Sequence, residues 1–221
     1  MVANELLLHN WFYGNLFVRE LAAVVFAVLM GSIPVTPVMQ WLFGDMEDRI
    51  ARSAAALAPA VNTVKALIPV AIATHGGGLE IGLLAALAVV GGHTYCPWRH
   101  FVGGTGTAVA FGALSGVSPA AGIIFFCVWV AAAVGTNFAM VATLLASAVS
   151  IVSLWFFAGA PAALAGVAML VIVASRYRGS FVRLSEGREP TLRSAPSPAA
   201  RPLPAPRRTL VVVNGQTVQR V

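Results

Sequence analysis

From His100 to Ser175 the chain carries no Asp, Glu, Lys or Arg. A domain that folds in water has about 25% charged residues, spread over its surface. This uncharged run is 76 residues long, and a membrane-crossing helix needs only about 20. The run therefore has room for at least three crossings. The whole chain follows the same bias: of 221 residues, 58% are hydrophobic and 10% charged, with mean hydropathy +0.83. Its Ala- and Leu-rich runs lack the alternation of a membrane barrel strand. The fold class predicted is all-α, a polytopic integral membrane bundle of about seven transmembrane helices.

Proline, glycine and charge mark the boundaries. A first span is predicted over 17–43, interrupted by Pro34 and Pro37, which cannot donate to a helix ladder. A charged loop, Asp45 to Arg52, precedes a second span over 53–74. A third runs from Glu80 to His93, and a fourth helix starts near Thr105. Breaks at 115–119, 135–137 and 158–161 separate the fourth to seventh spans; six crossings also fit if the short pieces fall short of the bilayer. No cleavable signal peptide is expected, because the first residues hold no basic stretch. Trp11, Phe12 and Tyr13 suit either an interfacial belt or an unfolded start.

Charge sets the expected orientation. Residues 175–221 hold nine Arg and two Glu, a balance of +7, which leaves −1 on the rest of a chain totalling +6. A basic tail after the last span reads as cytoplasmic, so seven crossings put the N-terminus outside. The loops at 44–53, 96–105 and 135–138 then share the tail's side, and Arg49, Arg52 and Arg99 lie in them. The tail suits the anionic headgroups of membrane lipids. Nucleic acid is not expected as a partner, since only Tyr177 and Phe181 accompany the arginines. The organisation read here is a transmembrane domain over 1–175, a basic juxtamembrane segment over 176–189, and a linker over 190–208 with six prolines by residue 206. A terminal segment, 209–221, has β-prone runs flanking Asn214-Gly215, a strong hairpin signal. It either docks on a protein partner's sheet edge or frays as a tail.

Few residues can carry chemistry. Cys96 and Cys127 stand far apart and read as buried free thiols, with no CxxC and no metal cluster. Lys65, the only lysine, lies mid-span with Asn62 one turn before it. It either points into a polar cleft or snorkels from a misplaced span. Gly103-Gly104-Thr105-Gly106 stands just before a helix start. Such a turn can present backbone N–H groups to an anion, or it can allow close helix packing. His93 is either a donor facing a ligand or a histidine bonded to a backbone carbonyl. The expected pocket faces the cytoplasm and brings the amides near Gly104 and the Lys65 ammonium onto one anionic guest.

These residues carry a resemblance. Gly92-His93-Thr94-Tyr95 and Gly103-Gly104-Thr105-Gly106, with Phe101 between, are spaced as in the bacterial membrane acyl-phosphate:glycerol-3-phosphate acyltransferases. Gly31-Ser32-Ile33-Pro34 resembles that family's first motif, and Lys65, Leu67 and Pro69-Val70 resemble its Asp-x-x-Lys-Gly-x-x-Pro-Val segment. Arg183-Leu184, Gly187 and Glu189 resemble its ending, so the likeness is spread over residues 21–190. It implies a seven-span enzyme of the bacterial cytoplasmic membrane that moves a fatty acyl group from acyl phosphate to glycerol 3-phosphate. No metal and no organic cofactor is implied, and the ligand is an anionic, phosphate-bearing small molecule. The candidate catalytic residue is His93. The candidate substrate-binding residues are Ser32, Asn62, Lys65, Arg99, Gly103, Gly104, Thr105 and Gly106.

The chain departs from the family at charged and polar positions. Thr105 stands for the lysine of the glycine turn, Asn62 for an aspartate and Ser180 for an asparagine. GDMEDRIARS replaces a Gly-Ser-Gly-Asn loop, and Asn137-Phe138-Ala139-Met140 replaces an Arg-Tyr-Val-Ser turn. A lost charge-assisted contact costs about 1.5–3 kcal/mol. Two readings follow: an acyltransferase with altered substrates, or a catalytically silent member that serves as a membrane scaffold or accessory subunit. A solute or lipid carrier has less support, because no repeated half is visible.

Overall fold

The computed structural model describes residues 16–35, 37–39, 48–101, 103–193, 210–213 and 216–219. The side chains of 16–17, 48–56 and Arg99, and those of 210–213 and 216–219, lie outside that description. Eight α-helices are described: α1 Leu16–Ser32, α2 Asp48–Gly77, α3 Leu79–Thr94, α4 Thr107–Val117, α5 Pro119–Thr136, α6 Ala139–Ala158, α7 Ala160–Arg176 and α8 Arg178–Ser185. A 3-10 turn, Pro97–Arg99, follows α3. Three stretches are long and apolar enough to cross a membrane, Leu57–Gly77, Pro119–Thr136 and Ala139–Ala158. α7 and α8, bent by 59° at Tyr177, together make a fourth.

The helix ends follow local chemistry. α5 starts on Ser118, whose Oγ accepts from the Ala121 N–H at 3.4 Å, with Pro119 in the first turn. That position tolerates proline because its N–H has no intrahelical partner. Asn137, with φ 61°, ends α5 in the left-handed region, where asparagine is among the least disfavoured side chains. One boundary agrees with the sequence expectation and one differs. The first span, expected over 17–43 with a break at Pro34, runs as α1 to Ser32, where Ile33-Pro34 interrupts the ladder, and is helical again at 37–39; residues 40–43 lie outside the described residues. Asp48 to Arg52, expected as loop, are the first turns of α2, a 30-residue helix that also accommodates Pro59 and Pro69.

α3 is the central helix. Ile81, Leu83, Ala85, Ala86, Val89 and Val90 are buried, and α1, α2, α4 and α7 pack around them. Side chains on the outside are apolar as well: Ile123, Phe126, Val134, Trp155, Phe156, Phe157, Leu164 and Val171 are exposed. Water would not tolerate so much uncovered apolar surface; lipid tails match it. Buried serine hydroxyls of α6 are satisfied within that helix: Ser147, Ser150 and Ser153 donate to Thr143, Ala146 and Ser150 carbonyls at 2.7–2.8 Å. Cys96 is buried, but Cys127, expected to be buried, is exposed on the outer face of α5.

α1 and α3 approach through glycine. A Cβ on Gly31 would strike the Val89 carbonyl, and one on Gly92 would come 2.7 Å from the Val28 carbonyl oxygen. The two glycines thus lie backbone to backbone across one crossing, and that contact brings the end of α1 beside His93. Gly31→Val is expected to cost about 1–3 kcal/mol of overpacking. The check is a fall of several degrees in the unfolding midpoint in detergent, with Gly91→Ala, which has open space, as the silent control.

Two short strands, β1 Leu210–Val213 and β2 Gln216–Gln219, pair antiparallel with Val213 opposite Gln216. Asn214-Gly215, expected as a turn, residues 194–209, where most of the linker expected over 190–208 falls, the aromatic cluster at 11–13 and the acids at 45 and 47 lie outside the described residues.

Candidate functional site

The site is assembled from three chain breaks. The Ile33-Pro34 break leaves carbonyls at the end of α1 without helical partners. Lys65 of α2 fills that gap. Its Nζ donates to the Gly31 carbonyl at 3.0 Å and the Ile33 carbonyl at 2.7 Å, and it meets His93 Nδ1 at 3.3 Å. The side chain is 5% exposed. A cation at a helix C-terminus also opposes the negative end of the helix dipole. Lys65 is therefore not among the lining residues of either cavity described below, although its three partners, Gly31, Ile33 and His93, are.

The second break is the turn after α3. Tyr95 N–H closes on the Gly91 carbonyl at 2.8 Å, and the 3-10 turn carries Trp98 back over α1. Trp98 Nε1 donates to Ser32 Oγ at 2.9 Å, and the Cys96 thiol donates to the Ser32 carbonyl at 3.1 Å. Ser32 is thus pinned between two groups that sequence reading did not connect to it. Arg99 sits in this turn, and its side chain lies outside the described residues.

The third break is the glycine turn. Gly104 N–H donates to the His93 carbonyl at 3.3 Å, so that amide is turned inward rather than toward a ligand. Gly103 O accepts from Arg176 Nη2 at 3.1 Å. Among the described residues, the Thr105 and Gly106 amides have no protein acceptor. Gly106, with φ 84°, starts α4 from the left-handed region, which glycine enters without strain. The four glycine-turn positions are therefore brought together with His93, and of their amides only that of Gly104 has a protein acceptor among the described residues.

Two cavities meet at this point. The larger, 580 Å³, is lined by Pro59, Asn62 and Thr63 of α2, His93, Gly104 to Ala108, and the rings of Phe111, Phe125, Phe126 and Trp129. The smaller, 230 Å³, is lined by Gly31 to Val35, Pro37, Cys96, His93, Gly103 and Gly104. His93 and Gly104 belong to both. The ring edge at His93 Nε2 lies against Gly104, where even a methyl group would collide with it. Asn62, 9% exposed, borders the larger cavity, and its Oδ1 is buried with no partner. A buried polar atom without a partner costs about 1–3 kcal/mol.

The aromatic wall went unread in the sequence. Phe111 stacks on Phe125 with centroids 6.0 Å apart and tilts against Phe126 at 5.7 Å. Beside it, Thr107, Thr143 and Tyr177 share hydroxyl hydrogen bonds of 3.0–3.4 Å, and Trp129 Nε1 donates to Thr143 Oγ1 at 3.1 Å. Neither cavity has Asp, Glu, Lys or Arg among its described lining residues. Among the described side chains, the nearby cations Lys65 and Arg176 stand one layer back, each on a carbonyl of a lining residue. Among the described residues no group of three His, Cys, Asp or Glu side chains is placed to hold a metal. The Arg183-Leu184…Glu189 ending is a clasp: Arg183 Nε pairs with Glu189 at 2.8 Å, and Arg188 N–H donates to the Arg183 carbonyl at 2.7 Å.

An apolar helical bundle with an apolar outer surface, holding an aromatic cavity beside a smaller one, defines an integral membrane protein with interior space next to His93. The chain belongs to the glycerol-3-phosphate acyltransferase family, whose model matches residues 46–187. It is 29% identical over 184 residues to the glycerol-3-phosphate acyltransferase of Rhodopseudomonas palustris strain BisB5, covering 76% of this chain and 94% of that one. The enzyme of strain HaA2 is 30% identical over 185 residues, with 76% and 93% covered. Two crystal structures of PlsY, an integral membrane glycerol 3-phosphate acyltransferase, superpose with TM-score 0.70. They are its lysophosphatidic acid form, 26% identical, and its glycerol 3-phosphate form, 25% identical; each covers 78% of this chain and 94% of PlsY. The chain is a divergent, multi-pass member of this membrane acyltransferase family.

Proposed function

We propose that the protein transfers a fatty acyl group to the hydroxyl of a phosphate-bearing acceptor, at the point where its two cavities meet. The observation that carries this is the sharing of His93 and Gly104 by both cavities. An acyl chain lies along Phe111, Phe125, Phe126 and Trp129; the acceptor occupies the smaller space beside Ser32. The volume of the larger cavity falls in the usual range for a bound small molecule, about 300–1,000 Å³. The acceptor hydroxyl attacks the acyl carbonyl carbon, the bond to the leaving oxygen breaks, and the hydroxyl proton ends on the leaving group. His93 Nε2 and the free Thr105 and Gly106 amides are the donors available where the oxyanion forms. With acyl phosphate as donor and glycerol 3-phosphate as acceptor, the products are lysophosphatidate and phosphate; the family is named for that acceptor, and the two PlsY structures are its lysophosphatidic acid and glycerol 3-phosphate forms.

Seven crossings with the N-terminus outside fit this reading. α1 to α7 are all apolar, but α4 has 11 residues, about 16 Å at 1.5 Å per residue. Residues 103–106 complete that crossing as non-helical chain, which a bilayer tolerates only where it lines a cavity. The Leu192 N–H donates to the Asn137 carbonyl at 2.7 Å, so the tail and the 135–138 turn share one end.

The test is acyl incorporation by the purified full-length protein in detergent, with acyl phosphate and glycerol 3-phosphate. Absence of turnover with acyl phosphate, acyl carrier protein and acyl-CoA donors alike would remove the reading. Thr105→Lys places an ammonium at the cavity wall. One charge-assisted bond to phosphate is worth about 1.5–3 kcal/mol, so kcat/KM is expected to rise about tenfold or more. An unchanged value would mean that no phosphate passes position 105.

A further inference from the structure

The ammonium of Lys65 has three protons and three acceptors: two carbonyls and the Nδ1 of His93. An ammonium donates and cannot accept. The lone pair of Nδ1 must therefore face it, and in the neutral ring the proton is then on Nε2. The Gly31 carbonyl also lies beside the ring, and it already accepts from Lys65 at 3.0 Å. A proton on Nδ1 would point toward a cation 3.3 Å away. Nε2 has no protein partner among the described residues and lies against Gly104, at the junction of the two cavities.

We propose that Lys65 is a positioning residue that holds His93 in its Nε2–H tautomer, so that His93 donates a hydrogen bond to the reacting acyl group and is not the base for the acceptor hydroxyl. This rests on the acyl-transfer reading above. As the acceptor oxygen bonds to the carbonyl carbon, the carbonyl oxygen gains the negative charge and takes the Nε2–H hydrogen bond. When the C–O bond to phosphate breaks, the carbonyl re-forms and the hydroxyl proton leaves on that phosphate. The ring is neutral, with its proton on Nε2, before and after. Lys65 is then no substrate ligand, although its depth and its charge suggest one.

The tautomer is read directly by nitrogen NMR of histidine-labelled full-length protein in detergent, with the His93 signal assigned by its loss in His93→Ala. The wild type should give a protonated Nε2 and an unprotonated Nδ1. In Lys65→Met the ring should move toward the Nδ1–H form, donating to the Gly31 carbonyl. With acyl phosphate and glycerol 3-phosphate, the same variant should lose about 10–100-fold in kcat, the usual effect of removing a histidine's orienting partner. KM for glycerol 3-phosphate should stay within about twofold, because Lys65 lines neither cavity. Lys65→Arg should restore the Nε2–H signal and part of kcat. A wild-type ring protonated at Nδ1, or a Lys65→Met variant that changes tautomer yet keeps full kcat, would overturn the proposal. Loss of acyl transfer with every donor, beside an Nε2–H signal, would instead condemn the acyltransferase reading.

Discussion

Replacing His93 by alanine is expected to lower kcat by about 10²–10³, the range for loss of one preorganised oxyanion donor. The variant removes the Nε2–H group and the partition that His93 forms with Gly104 between the 580 Å³ and 230 Å³ spaces. It should not unfold the protein. Lys65 keeps its carbonyl partners at 3.0 and 2.7 Å and loses only the 3.3 Å contact to the ring, about 1 kcal/mol for one hydrogen bond. His93→Gln retains an amide donor of similar reach and should recover part of the rate. Steady-state kinetics and the detergent unfolding midpoint separate the effects: kcat falls steeply while the midpoint moves by a few degrees. Activity within about threefold of wild type would remove His93 from the chemistry.

The membrane class was legible because charge is dear in lipid: a run of 76 residues without Asp, Glu, Lys or Arg leaves few other solvents for the chain. Helix breaks were legible at Ser118-Pro119, Asn137 and Gly159, where a side chain caps or a left-handed φ is needed. The closeness of His93 to Gly104 was legible too, since only ten residues separate them. The partners of Lys65 were not. They come from residues 31, 33 and 93, brought together by the glycine crossing of α1 and α3, a contact with no local signal. The ammonium was expected to face the anionic guest, but freed carbonyls outcompete a cavity for it. The aromatic wall was hidden for a different reason. α5 is apolar on every side, as a helix bathed in lipid can be. Periodicity therefore cannot tell Phe125, which is buried against the cavity, from Ile123, which faces outward. The inward turn of the Gly104 amide was hidden because a run of glycines states where a chain can go, not where its N–H groups point.

Gly104→Ala carries the second large effect, and Gly103→Ala explains why it is specific. Neither glycine has a positive φ, so an alanine meets no backbone strain at either position. Only the space differs. A Cβ on Gly104 would land on His93 Nε2, with Cε1 at 3.0 Å. A Cβ on Gly103 would land on the His93 carbonyl, with the Thr94 carbonyl oxygen at 2.5 Å. A ring can swing away; backbone cannot. Gly104→Ala should therefore fold and lose function. Its methyl pushes the imidazole off the junction, against the tether from Lys65, and removes the donor from the place where the oxyanion forms. A fall of about 10² or more in kcat/KM is expected, with the unfolding midpoint lowered by a few degrees at most. Gly103→Ala should do the reverse and spend its cost on stability, about 1–3 kcal/mol for overpacking, as the turn is forced off α3. If Gly104→Ala keeps full activity, no reacting group lies between that glycine and His93, and the junction of the two cavities is not where acyl transfer happens.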